Sequence, residues 1–183
     1  MKIVRLSLEN FRCIKNACIH FDSHTLMVGP NNVGKSTICE ALELVLGPER
    51  LNKYPAIDEF DFYNSRYLED DGTTPVRLRI EVVIIDLTAE LLSKCGSHIE
   101  FWNSNSSKLL GPGEISLTDD KDVKECIRLE ALGQYVQDED EFEAQTFFSY
   151  SPLALEADKL ETVGKNIKRL FGFLYLRALR TGS

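Results

Sequence analysis

The sequence predicts an α/β protein, a mixed sandwich lobe in which an antiparallel strand layer flanks a strand–loop–helix core. Three observations carry this expectation. The opening run KIVRLSLENF alternates apolar and polar residues, the run GPNNVGKST occupies positions 29–37, and behind it the apolar spacing changes to that of a helix.

Taken in order, Val4, Leu6 and Leu8 fall on one face of the first strand and Arg5, Ser7 and Glu9 on the other, as in a half-buried strand. Residues Ala17–Phe21 read as its hairpin partner, with Lys15 and Asn16 in the turn. His24, Thr25, Leu26, Met27 and Val28 form a short, largely apolar run into Gly29, the pattern of a buried parallel strand. From Ser36 onward, Ile38, Ala41, Leu42, Val45 and Leu46 recur at helical spacing until Gly47 and Pro48 stop the helix. Residues 48–75 show no period and are expected to be a loop excursion with room for one short helix.

Residues 76–82 alternate strictly and run on into Val83, Ile84 and Ile85, which predicts a strand. A helix is expected over Leu87–Lys94. Strands follow at Ile99–Trp102, Glu125–Glu130 and Thr146–Tyr150, a helix at Lys159–Leu170 and a last short strand at Phe173–Leu176. The acidic run Asp138, Glu139, Asp140, Glu141 reads as a solvated loop or helix face. There is no internal repeat and no low-complexity tract.

Composition sets the bounds. With 183 residues, 43% of them hydrophobic, the chain can bury a core of one domain. A formal net charge of −8 argues against a general nucleic-acid-coating surface, because phosphate contacts need clustered Lys and Arg. The only basic concentration is Lys165, Lys168 and Arg169 with Arg177 and Arg180; it reads as solvated charge or as a DNA or phosphate contact. Five cysteines without scaffold spacing, and no signal peptide, fit free thiols in a reducing cytoplasm. Cys13 and Cys18 lie near His20 and His24, but the spacing does not suit zinc, and ordinary burial is expected. No apolar run approaches the roughly 20 residues that a membrane span needs. Trp102 with Phe101 is expected in the sheet core, and His98 at the surface.

GPNNVGKS matches G-x-x-x-x-G-K-[ST] in full through Gly29, Gly34, Lys35 and Ser36. Each position has a physical task. The glycines allow backbone torsions and close approach that a Cβ would block. Successive N–H groups then form an anion-binding nest at a helix N-terminus, where the helix dipole adds positive potential. Lys35 reaches the β- and γ-phosphates, and the Ser36 hydroxyl ligates Mg²⁺. The flanking apolar strand and amphipathic helix are the context this motif requires, so a nucleoside triphosphate with Mg²⁺ is the expected ligand. No Asn-Lys-x-Asp guanine-reading motif occurs, which argues against a GTPase.

The stretch LSLENFRCIKNACIHF, followed by LMVGPNNVGKSTICEALELVLG, resembles the N-terminal ATPase segment of the RecF/SMC branch of the ABC superfamily. Within that branch it most resembles the OLD (overcoming lysogenization defect) family of ATP-dependent endonucleases, through the Asn-Asn-Val loop, the DEFDFYN and PVRLRIEVVI segments and the late FLYLRALR run. The resemblance implies a P-loop NTPase fold, an ABC ATPase-like lobe with mixed parallel and antiparallel sheets, and ATP as the nucleotide. It implies that Gly29, Asn31, Asn32, Val33, Gly34, Lys35, Ser36 and Thr37 line the phosphates, and that Arg12 lies near the nucleotide, unless Arg12 is only an exposed strand-end charge. Where relatives place a metal-sensing glutamine, this chain has Asp58, Glu59 and Asp61; Asp61 either serves the Mg²⁺ or solvates a loop.

A signature motif, a Walker B Asp-Glu pair and a switch histidine are missing. Ile84-Ile85-Asp86 comes nearest to a Walker B strand, yet too early and followed by Leu87. The resemblance therefore implies the N-terminal part of an ABC-type ATPase domain, with the signature motif and a Toprim nuclease elsewhere. It further implies a homodimer with a composite hydrolysis site, and DNA as partner of the full-length protein. A RecF/SMC-like repair or clamp ATPase without a nuclease is the alternative.

Overall fold

The computed structural model describes residues 1–30, 33–50, 55–111, 114, 121–150 and 160–176. Seven strands join in one sheet: β1 (Lys2–Phe11), β2 (Ile14–His20), β3 (Leu78–Ile85), β4 (Ile99–Asn103), β5 (Lys108–Leu110), β6 (Val123–Val136) and β7 (Glu141–Phe148). Among the described residues three α-helices accompany them: α1 (Lys35–Leu46), α2 (Ala89–Lys94) and α3 (Lys165–Leu170). The order across the sheet is β2-β1-β3-β6-β4-β5. The long β6 holds the sheet together. One of its edges pairs with β3; the other takes β4 along Val123–Ile127 and β7 along Leu129–Val136.

Alternation explains which face is wet. Leu6, Leu8, Leu78, Ile80, Val82, Ile84, Ile127, Leu129 and Ala131 point to one side, where Ala41, Leu44 and Val45 of α1 cover them. Each Leu, Ile or Val among them contributes about 1.5–3 kcal/mol when fully buried. At Gly133 the sheet meets the incoming 55–57 segment so closely that a Cβ would stand 2.6 Å from Ile57 Cδ1 and 2.9 Å from Leu78 Cγ.

The opposite face carries charge. Arg5 donates to Glu81 at 2.8 Å, Arg79 to Glu81 at 2.8 Å and to Glu130 at 2.7 Å, and Arg128 to Glu100 at 2.9 Å. Glu81 and Glu130 are buried. They are tolerated there because each accepts from at least one guanidinium.

Several expectations change. Val4 does not share a face with Leu6 and Leu8. The β1–β3 register shifts between Ile3 and Arg5, and the extra residue places Val4 with Val83, Ile85, Trp102 and Cys126. The first hairpin turns at Arg12-Cys13 rather than Lys15-Asn16, since Phe11 pairs with Ile14 and Lys15 and Asn16 lie inside β2. Every pairing between the described strands is antiparallel, so the sheet is not mixed. The expected parallel strand at 24–28 has no strand structure; Leu26 and Val28 are 86% and 83% exposed, because no described strand lies against them.

The late helix spans only Lys165–Leu170, because Thr162 bridges Phe147 and Val163 N–H donates to Thr146 O, holding that stretch extended against β7. Residues 173–176 form no strand. The strand expected at Thr146–Tyr150 begins earlier and ends at Phe148. The acidic 138–140 stretch is the β6–β7 turn, with Glu141 opening β7. Residues 59–61 and 63–65 form two short 3₁₀ turns in the loop excursion. No helix among the described residues is long and apolar enough to cross a membrane.

Candidate nucleotide site

The phosphate-loop residues gather where the β1–β2 hairpin tip meets the start of α1. Gly34 caps the helix with φ +93°, a left-handed conformation that glycine adopts without the cost a side chain adds. An added Cβ there would face Cys13 Sγ at 3.4 Å and Ile14 Cδ1 at 3.7 Å, so the hairpin tip lies against the loop. Cys13 Sγ also stands 3.4 Å from Thr37 Oγ1. Among the described residues no side chain caps α1, and its first turn holds no acidic residue, so none of these neutralises its leading N–H groups or its dipole. By contrast, Thr88 caps α2 by accepting from Leu91 N–H.

Lys35 folds back over the loop, its ammonium donating to Gly29 O at 2.7 Å and Pro30 O at 2.5 Å. Gly29, Val33 and Ser36 are exposed, and Thr37 is buried. Asn31 and Asn32 lie outside the described residues. The exposed Ser36 hydroxyl suits a hard cation such as Mg²⁺.

Arg12 takes a left-handed φ of +52°, and its backbone N–H donates to Asp61 O at 2.9 Å. Its guanidinium donates to Asp61 Oδ1 at 2.8 Å and pairs with Glu40 of α1. Asp61 Oδ2 accepts from Asp58 N–H at 3.2 Å and faces Arg50 at 3.8 Å. Both Asp61 oxygens are thus engaged by the protein, and the carboxylate is 3% exposed overall. Asp58 caps the 59–61 turn by accepting from Phe60 N–H at 2.9 Å, while Glu59 remains exposed. The group Glu40–Arg12–Asp61–Arg50 ties the hairpin tip, α1 and the 58–62 segment into one brace beside the loop. Sequence reasoning named Arg12 and Asp61 separately and missed Glu40, although Glu40 is one helical turn past Ser36 and so faces the same side.

A family profile for an AAA ATPase domain matches residues 1–175. The chain belongs to that family. An AAA ATPase domain binds ATP, and the uncapped α1 terminus with Lys35 at its first position is the arrangement a triphosphate requires. An OLD nuclease from Thermus scotoductus is 39% identical over 64 residues, which amount to 33% of this chain. The match spans 11% of that nuclease's length. A solved structure from work on ATP-driven dimerization and DNA-stimulated activation of SMC ATPases superposes with TM-score 0.47 at 14% identity, covering 94% of this chain and 78% of that one.

The remaining sequence candidates are placed as follows. Asp86 follows β3 directly and pairs with Lys124 at 2.7 Å. Because β3 runs antiparallel to β1, with Ile85 opposite Lys2, Asp86 stands at the sheet end away from the hairpin tip and loop. Trp102 is buried, with Arg5 over its ring at 5.5 Å. His98 is not at the surface: it is 4% exposed, stacks on Phe148 and holds Tyr150 O at 2.8 Å through Nδ1. Cys13 and Cys18 are exposed rather than buried, because the early turn puts Cys13 at the hairpin tip and Cys18 on the outer face of edge strand β2. Lys165 and Arg169 share Glu49 at 2.6 and 3.3 Å, and Lys168 is buried rather than solvated. Arg177 and Arg180 lie outside the described residues.

Proposed function

We propose that this chain is the ATP-binding N-terminal part of the ATPase domain of an OLD-type, ATP-dependent DNA endonuclease. The observation that carries the family reading is the 39% identity to an OLD nuclease over 64 residues. ATP sits on the Gly29–Thr37 loop, with Gly34, Lys35 and the first N–H groups of α1 against its phosphates and Asn31 and Asn32 beside them. Ser36 holds Mg²⁺, which supplies charge neutralisation across the β- and γ-phosphates. Asp61, with both oxygens engaged, positions Arg12 and the hairpin tip. Glu40 and Asp61 fix the guanidinium at the rim of the loop, so loop geometry is held before nucleotide arrives.

The exposed Leu26 and Val28 support the reading that the loop-entering run pairs with further strands of the same ATPase domain. In this reading the general base for the attacking water comes from a composite site. Hydrolysis then requires a second protomer or the rest of the domain, and this chain alone binds ATP with little turnover. The output is cleavage of DNA by a separate metal-dependent nuclease module.

The test is Mg²⁺-dependent DNA cleavage by the protein encoded by the complete gene, wild type beside Lys35→Ala, with this chain assayed in parallel. The proposal expects cleavage by the complete protein, altered by the substitution, and none by this chain. Cleavage by this chain alone would sink it. ATP-driven closure on DNA without any cleavage would favour the clamp reading.

A further inference from the structure

Pro48 just past α1, Arg77 just before β3, the C-terminal part of β6, residues 143–147 of β7 and helix α3 line an open cavity of about 450 Å³. This is within the usual range for small-molecule sites. It is separate from the phosphate loop. Lys168 on its wall donates to Leu44 O near the end of α1, whereas the loop holds the beginning of that 12-residue helix, about 15 Å away at ~1.5 Å per residue.

The cavity's charge is unusual for a chain of net charge −8. Among the described lining residues, Arg77, Lys165 and Lys168 stand against the carboxylate of Glu143, whose Oε1 accepts from Gln134 at 2.9 Å, and Lys165 is already paired with Glu49 at 2.6 Å. Lys168 is 3% exposed, and among the described residues its ammonium is met by Leu44 O at 3.3 Å and Thr146 Oγ1 at 2.7 Å. Two neutral acceptors leave one proton of the ammonium and the whole of its charge without a counter-ion among the described residues. Burial of an ammonium without an anion is costly, so such a group is expected where a ligand supplies the anion. Arg77 is exposed, and its guanidinium makes no hydrogen bond or ion pair among the described residues.

We propose that this cavity is a second anion site, which takes a small phosphorylated molecule with Arg77 at the rim and Lys168 at the floor. Recession decides between a small molecule and a nucleic-acid backbone. The phosphates of a duplex remain at a convex surface, and a lysine 3% exposed is reached only by a group that enters the cavity. A terminal phosphate enters, meets Lys168 and leaves its remaining charge to Arg77, whose fork suits bidentate contact.

The test uses inorganic pyrophosphate as probe and the Lys35→Ala chain, so that the phosphate loop does not dominate. Calorimetry is expected to show one remaining site, weakened about tenfold or more by adding Arg77→Gln and partly retained with Arg77→Lys. Adding Lys168→Met is expected to abolish binding, with thermal unfolding confirming that the variant folds. Arg77 is exposed, so the glutamine variant keeps the test decisive if the methionine variant does not fold. No binding to the Lys35→Ala chain at millimolar pyrophosphate, or equal binding after Arg77→Gln, would overturn the proposal. So would Arg77-dependent binding of a 20-base-pair duplex with no pyrophosphate bound, which would make the site a backbone contact.

Discussion

Asp61 is the residue on which the geometry beside the loop converges. It is buried, accepts from Arg12 and from the Asp58 N–H, and faces Arg50. Asp61→Ala leaves Arg12 with Glu40 alone and releases the turn that places it. We expect a loss of about 1–3 kcal/mol, the cost of stranding partly buried charge-assisted donors, read as a lower midpoint in urea unfolding. A loss under ~0.5 kcal/mol would make the brace a surface pair. The thiols give a second test at this scale. Burial, with the charge of Glu100 adding to it, pushes the Cys126 thiol up to about 12, and burial raises that of Cys95, whereas Cys13 and Cys18 are exposed. A maleimide is expected to label Cys13 and Cys18 in the folded chain, and Cys95 and Cys126 only after unfolding. Mg-ATP should slow Cys13 labelling, because its sulfur lies against Thr37 and Gly34. Unchanged labelling with saturating nucleotide would place ATP elsewhere.

Among the elements, α1 was legible because its apolar spacing and the Gly47 stop act within the segment itself, and the helix indeed runs Lys35–Leu46. The β1–β2 hairpin was legible as a pair but not in register. The β-bulge at Ile3–Arg5 shifts the pairing with β3, and the turn at Arg12, with positive φ, is held by Asp61, 49 residues away; no local period records either. The 24–28 run failed for a different reason: an apolar pattern states what a strand would bury, not whether a neighbour is there to bury it. Helix α3 adds a pH test. Burial lowers the Lys168 ammonium from 10.5 to about 8. Below pH 8 both folded and unfolded chains hold the proton, and the folded state carries the full penalty, on the order of 3 kcal/mol. Between pH 8 and 10.5 the unfolded state binds more protons, so this penalty fades and stability rises. The unfolding free energy of Lys168→Met minus that of wild type should therefore fall across this window. A flat difference would mean that Lys168 is hydrated.

For the whole molecule, the chain is an AAA ATPase domain whose described part is one antiparallel sheet with α1 on its apolar face. The start of α1 behind the loop was legible because its signals are local: glycines, a lysine and a serine at fixed spacing before a helical period. The brace and the cavity were not, because Glu40, Arg12 and Asp61, or Arg77, Thr146 and Lys168, meet only after the sheet forms. Nucleotide binding at Lys35 is the claim everything else builds on. Equilibrium binding of Mg-ATP to this chain, wild type beside Lys35→Ala, tests it directly. We predict that wild type binds and that the substitution weakens binding tenfold or more, about 1.4 kcal/mol, with the unfolding midpoint unchanged. Equal affinity in the two chains would contradict the account.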